Sequence, residues 1–320
     1  FEEKNNAKAL KCFTKAIKLS DNPEAAYLAR GMTYQRQRRP EKAIADFTQL
    51  IEQEQQQVAA YTYRGMSHMD LNNPNKALTD LNQAIRLDST AGQACFNKGY
   101  LLFNLQDYEG ALTTFRKMFR RKSAFQQKQH LENAYHFAGR AYIERGKPEQ
   151  ALEAFNESLA LNSRAYRSHY YQGVLLHQQE RFEQALKAFD SAIAVKPDYW
   201  QAYLKRGYTY GQLNQYEASV KDFDRYLSKE PGSSKAYRMR GLAHAKLDQY
   251  QAALDDLKKA IDLNAEDGQA YFFKGSVHYE QNELQRACRA WQGAINRGYK
   301  QAMRYFTKVC RKQPSQPQSE

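Results

Sequence analysis

A chain of 320 residues with 42% hydrophobic and 26% charged side chains has enough apolar material to bury a core, yet no stretch approaches the roughly 18 uninterrupted apolar residues that a membrane-spanning helix needs. Its net charge of +13 is spread along the whole length and favours acidic partners, whether protein, nucleic acid or anionic headgroup. Four scattered cysteines exclude a disulfide-knit scaffold and a CxxC zinc site, and Cys12, Cys95, Cys288 and Cys310 read first as small buried hydrophobes.

Residues 1–23 hold the second half of a two-helix pattern that the rest of the chain repeats: Ala9, Phe13 and Ala16 stand where a later copy has Ala185, Phe189 and Ala192. The chain starts at Phe1, without an initiator Met and inside a repeat. A longer natural N-terminus is therefore expected, and targeting signals lie outside view, with a cytoplasmic setting slightly favoured. Full repeats begin at Glu24, Val58, Gly92, Glu132, Tyr166, Trp200, Ser234 and Gly268, and each interval but one is 34 residues. Counting places from those residues, glycine recurs at place 8, from Gly31 to Gly275, and a small residue at place 20, from Ala43 to Ala287. Only small side chains fit where two helices cross at about 8 Å, so a helix A and a helix B are predicted to meet there in every repeat. Tyr27, Tyr61, Tyr135, Tyr203, Tyr237 and Tyr271 at place 4, with Phe47, Phe115, Phe155, Phe189, Phe223 and Trp291 at place 24, are expected to fill the core. Pro40, Pro74 and Pro148 at place 17 mark the start of helix B, where the missing N–H of proline costs nothing.

The exceptional interval, from Gly92 to Glu132, is six residues longer than the others. The surplus falls within residues 116–131, where apolar periodicity runs on through Phe115, Met118 and Phe119 without Gly or Pro. A lengthened helix B or an extra turn is predicted, interrupting the stack and allowing a bend between the third and fourth repeats. The domain plan is then a partial repeat at 1–23, three repeats over 24–131, five over 132–299, an amphipathic capping helix at 300–312 and a disordered tail at 313–320.

In the repeat that opens at Tyr166, Gly173, Leu176, Phe182, Ala185, Phe189, Ala192 and Pro197 occupy places 8, 11, 17, 20, 24, 27 and 32. With the 34-residue period, this resembles the tetratricopeptide repeat family along nearly the whole chain. The resemblance implies an all-α, right-handed α-solenoid, a superhelix of helix-turn-helix units with a C-terminal capping helix. It also implies that helices A line a concave groove with places 2, 5, 9 and 12 facing inward, since those spacings share one helix face. Carried over, they give Phe96, Tyr100 and Phe103 in the third repeat, His136, Arg140 and Ile143 in the fourth, and Arg167, Tyr170 and His177 in the fifth. Tyr208 follows in the sixth, Lys235 and Arg238 in the seventh, and Phe272 and Tyr279 in the eighth. Such a groove suits a peptide whose carboxylates pair with Arg167 or Arg238 while apolar side chains dock on the rings; the alternative is that these residues pack against helix B or stay solvated.

The lysine–asparagine clamp of chaperone-binding members has no match, because places 5 and 9 hold Leu28 and Met32, Thr62 and Met66, then Phe96 and Tyr100. The asparagine ladder of sugar-transferring members is also missing, with Asn97 alone at its place. Cys288 and Cys310 flank the Gly298–Tyr299 turn symmetrically, in a segment that resembles the C-terminal ends of bacterial members, and both a disulfide and two buried thiols remain open. No GxGxxG, P-loop, HExxH or GxSxG motif occurs and the histidines form no metal-spaced set, so no catalytic site, cofactor or metal is expected.

The chain is therefore expected to be a non-catalytic scaffold or adaptor that holds an acidic protein segment in the groove or on basic ridges within a larger assembly. Two alternatives stand beside it. One is nucleic-acid binding through Arg116, Lys117, Arg120, Arg121 and Lys122, beside the aromatic pair Phe115 and Phe119, although cations near a helix C-terminus are favoured by its dipole alone. The other is the repeat module of a longer protein whose activity lies elsewhere. Nothing in the residues specifies an oligomeric state.

Overall fold

The computed structural model describes residues 2–53, 57–121 and 128–310, and every regular element among them is an α-helix. Helices A are α2 (Glu24–Arg36), α4 (Val58–Asp70), α6 (Gly92–Asn104), α8 (Lys128–Glu144), α10 (Tyr166–Gln178), α12 (Trp200–Gln212), α14 (Ser234–Lys246) and α16 (Gly268–Glu280). Helices B are α1 (Glu2–Leu19), α3 (Pro40–Gln53), α5 (Pro74–Leu87), α7 (Tyr108–Arg120), α9 (Pro148–Leu161), α11 (Phe182–Val195), α13 (Tyr216–Leu227), α15 (Tyr250–Leu263) and α17 (Leu284–Asn296), and α18 (Ala302–Val309) follows. The chain divides into two compact units, Phe1–Ser163 and Arg164–Glu320. Each is a stack of helix-turn-helix hairpins in which A packs on its own B and on the next hairpin, the α-solenoid class. No helix among the described residues is long and apolar enough to cross a membrane.

The division falls after the fourth repeat, not at the six-residue surplus where an interruption was expected. There α7 stops at Arg120 and α8 starts at Lys128, four residues ahead of the repeat's first place, so helix A of the fourth repeat is the lengthened element and helix B is not. Residues 122–127 lie outside the described set. On either side of them Phe115 and Met118 of α7 share one buried cluster with Leu131, Ala134, Tyr135 and Ala138 of α8. Leu131 is the residue of α8's added turn that enters this cluster, which joins the third and fourth repeats.

The small residues at place 20 are fully buried, and the one serine among them, Ser219, donates to the carbonyl of Gly207 on its partner helix at 2.8 Å. Helix A ends alike in every full repeat: the residue at place 15 takes a left-handed backbone, glycine only at Gly146 (φ +65°), and otherwise Arg38, Asn72, Gln106, Glu180, Asn214, Asp248 and Asn282 with φ between 55° and 62°. The next amide reaches back across the turn, as when Asn73 N–H donates to His68 C=O at 2.8 Å. A side chain other than Gly, Asn or Asp costs roughly 1–2 kcal/mol in that conformation, against about 0.5–1 kcal/mol of extra unfolded-state freedom for glycine. Glu180→Gly is therefore expected to stabilise unit 2 by about 0.5–1 kcal/mol, read as a higher urea midpoint.

Within four of the hairpins an ion pair joins helix A to helix B at places 7 and 23, forming a ladder along the stack. Arg30 binds Asp46, Arg64 binds Asp80, Arg206 binds Asp222 and Arg240 binds Asp256, each with two N–H···O bonds of 2.6–2.9 Å. Each guanidinium reaches place 25 of the preceding helix B as well, at Thr14, Thr48, Asp190 and Asp224. It also lies over the place-4 tyrosine of its own helix, 5.3–5.6 Å from the centroids of Tyr27, Tyr61, Tyr203 and Tyr237.

At the C-terminal end, α18 covers the eighth hairpin, with Phe306 and Val309 against a cluster of Phe272, Trp291 and Ala302. Cys288 and Cys310 are joined by a disulfide, with Cα atoms 5.7 Å apart, while Cys12 and Cys95 are free thiols. Burial pushes the Cys95 thiol up to about 11, so it is inert at neutral pH. The expected tail at 313–320 and the last residues of the expected capping helix lie outside the described residues.

Candidate functional site

The faces of helices A that were expected to bind divide, in the structure, between rings packed on one another and a half-buried cationic strip. In unit 1, Phe96 and Tyr100 stack at 6.0 Å, and both converge on Phe137, Tyr100 edge-on at 4.9 Å. Phe103 meets the same ring at 5.4 Å, and Arg140 lies over both Phe103 and Phe137, 4.7 and 5.4 Å from their centroids. Phe137 is the hub of this wall. It sits at place 6 and so escaped a reading by places 2, 5, 9 and 12; its signal is the aromatic beside His136. Phe96, Tyr100 and Arg140 are half-buried, and Ile143 is too. Phe103 and His136, by contrast, are buried at 8% and 4% exposure, so they support the wall from behind and do not face a ligand.

In unit 2, Tyr170 packs edge-on against Tyr171 and Tyr199 at 5.2 and 5.1 Å, and burial among those phenols pushes its own well above the usual range. Arg167 is exposed beside Tyr166. Two turns beyond Tyr170, His177 Nδ1 meets the Thr209 hydroxyl at 2.9 Å, and burial, with Lys205 nearby, lowers the imidazole's affinity for a proton. Lys205 is itself half-buried, its pKa lowered first by that burial and then by the like charge of Lys235. Lys235 lies over the Tyr208 ring at 5.6 Å, and burial pushes the Tyr208 phenol up to about 12. The Tyr208 hydroxyl and Arg238 Nε are buried without a hydrogen-bond partner among the described protein groups. Neither Lys205 nor Lys235 has an ion-pair partner among the described residues. Lys205, at place 6, was another residue the expected face left out.

Two expected anchors are corrected. Arg238, assigned to a partner's carboxylate, already holds one: its Nη1 donates to both oxygens of Asp267 at 2.6 and 2.7 Å, and Asp267 in turn caps α16 by accepting from Ala270 N–H. Phe272 is covered by Tyr299 and Tyr305, at 5.2 Å each, and belongs to the capped core. Tyr279, 42% exposed and resting on Trp291 at 5.6 Å, remains at the surface.

The basic stretch near the insertion does not form a platform for bases. Phe115 is fully buried and Phe119 lies flat on Tyr135 at 3.8 Å, so both rings are already packed. Arg116 donates to Tyr142 and Glu109, and Arg121 to Ser89, while Lys117 and Arg120 are exposed and Lys122 lies outside the described residues. Among the described residues no three His, Cys, Asp or Glu side chains come together as metal ligands would.

Three family models described as tetratricopeptide repeat match: one over residues 62–124, 138–199 and 238–299, a second over 172–240 and a third over 24–57. Solved structures match the fold at low identity. PilF of Pseudomonas aeruginosa aligns with a TM-score of 0.58 and 18% identity over 72% of this chain and 96% of its own. A tetratricopeptide repeat protein from Parabacteroides merdae aligns at 0.52 and 19%, over 79% and 98%. MamA from Desulfovibrio magneticus aligns at 0.51 and 20%, over 53% and 96%. No curated protein matches in sequence. At these identities the structural likenesses show the fold alone.

Proposed function

The chain belongs to the tetratricopeptide repeat family, and from that premise we propose that it is a non-catalytic scaffold or adaptor that holds an acidic, partly apolar protein segment on helices A of the fifth to seventh repeats. The family's repeats support protein–protein interaction in general; the acidity of the partner is our reading. One observation underlies it: Lys205 is half-buried, its pKa lowered first by that burial and then by the like charge of the exposed Lys235, and neither lysine has an ion-pair partner among the described residues. A protein keeps such a pair at an electrostatic cost, and a bound carboxylate would remove it. Tyr170 and Tyr208 offer ring surface for apolar side chains.

The test is a short labelled peptide of alternating glutamate and leucine, titrated by fluorescence anisotropy. Lys205→Ala with Lys235→Ala is expected to weaken binding about tenfold or more, the equivalent of one charge-assisted hydrogen bond. Tyr208→Ala is expected to weaken it further while the far-ultraviolet circular dichroism stays the same. Undiminished affinity in the double lysine variant would remove this face from consideration.

A further inference from the structure

In the sixth and seventh repeats the ladder arginine sits between two carboxylates, one from each flanking helix B: Asp190 and Asp222 around Arg206, and Asp224 and Asp256 around Arg240. In the eighth repeat the same three places read differently. Place 7 is Lys274, place 23 is Ala290, and place 25 of the preceding helix B is Lys258. A cation between two anions has become two cations with no anion at these places, and the place-4 tyrosine, Tyr271, is kept, its ring covered by the Arg297 guanidinium 4.0 Å from the centroid. The missing carboxylate leaves a cavity of about 430 Å³ lined by Lys258, Lys274, Arg286 and Arg289, with Tyr271 and the small Ala290 among its walls. Asp255 also lines it, already accepting from Gln251 at 3.0 Å, and Arg286 is bonded to Glu283 at 2.9 Å, while His278 donates to or accepts from Glu283 at 2.6 Å. Lys258, Lys274 and Arg289 have no ion-pair partner among the described residues.

We propose that this slot is an anion-binding site that takes an aspartate or glutamate side chain from a partner protein, in the place that the chain's own aspartates fill in the sixth and seventh repeats. The sister slots supply the geometry: there a carboxylate is held by the place-7 cation at 2.6–2.8 Å above the place-4 tyrosine. The charge argument is local, because Lys258, Lys274 and Arg289, with Arg286 already bonded to Glu283, face Asp255 across a cavity that has room for an inserted side chain. A partly enclosed site of that sign concentrates and orients an anion more than the same charges on an open surface. The slot lies off the binding face described above. Places 4, 7 and 11 of an α-helix point away from places 2, 5, 9 and 12 at 3.6 residues per turn, so the slot and the groove are separate sites on α16 and its neighbours.

The experiment uses the whole chain carrying Lys205→Ala, Lys235→Ala and Tyr208→Ala, which together weaken the groove, and a short labelled polyglutamate peptide followed by anisotropy at low salt. Lys258→Asp, which copies Asp224 on an exposed position, is expected to reduce affinity about tenfold or more. Ala290→Asp with Lys274→Arg, which rebuilds the sister repeat's own pair, is expected to abolish binding with the helical circular dichroism retained. Failure of the parent to bind polyglutamate, or equal binding by parent and Lys258→Asp, would overturn the proposal even if the rebuilt variant did not fold. Tighter binding of a single-stranded oligonucleotide of matched length, with the same sensitivity to Lys258→Asp, would overturn the assignment to a carboxylate.

Discussion

Asp80→Ala is expected to lower the stability of unit 1 by about 3 kcal/mol, the low end of the cost of breaking a buried ion pair from one side. Asp80 accepts both N–H bonds from Arg64, at 2.9 and 2.7 Å, and its side chain is only 6% exposed. Removing it leaves the guanidinium, 20% exposed, with the Thr48 hydroxyl at 3.1 Å and the face of Tyr61. Those partners cannot replace a carboxylate, but partial exposure lets water take some of the charge, which is why the low end applies. His68 responds too, since burial lowers its pKa and Asp80, with an oxygen 3.9 Å from Nε2, is the neighbour that raises it.

The decisive comparison is the double variant Arg64→Gln with Asp80→Ala. The fifth repeat carries that pair naturally, as Gln172 and Ala188, and the fourth has Ala138 and Ala154 at the same places. Hairpins without the ladder therefore pack, and removing both charges is expected to restore most of what the single change loses. Equilibrium urea unfolding of the four proteins measures this. A double variant as unstable as Asp80→Ala would mean that the aspartate acts through something other than its arginine. The expected recovery assigns the Arg–Asp pair to alignment of helix A on helix B within a hairpin, since a pair of fixed geometry tolerates no slip of one helix along the other.

What could be read in the residues, and what could not, follows from how far apart the interacting places lie. Gly at place 8, Ala at place 20 and the ring at place 24 act within one helical crossing and recur at one period, so the hairpin and its core were legible throughout. The ladder spans the same crossing and the same sixteen positions as Gly at place 8 and the ring at place 24, but it is interrupted in half of the repeats. Its signal is the co-occurrence of Arg and Asp in the first, second, sixth and seventh repeats. The candidate face was legible only in outline. Places 2, 5, 9 and 12 located Tyr100, Tyr170, Tyr208 and Lys235, but not that Asp267 takes Arg238 or that α18 covers Phe272, because both occupants come from the following segment. Phe137 and Lys205 fell outside those places because a helix face is broader than four positions.

Phe189→Ala is expected to cost 3–5 kcal/mol, the range for emptying a fully buried aromatic site. Phe189 has no exposed surface, and its ring fills the space that Gly173 leaves on the facing helix: a methyl built on Gly173 would fall 2.7 Å from the ring. That geometry makes the two positions depend on each other. Gly173→Ala alone forces the ring aside and is expected to destabilise by about 1–3 kcal/mol. With Phe189→Ala already in place, the same methyl enters the void and gains the roughly 1 kcal/mol of helix propensity that alanine has over glycine, so its effect should change sign. Urea unfolding of the two single variants and the double gives the coupling, and strict additivity would show that glycine at place 8 serves something other than the ring. If the sign changes, Gly173 and Phe189 form one packing unit. In that case the glycine that first marks each repeat is set by the ring across the crossing, and by no requirement of the backbone at that place.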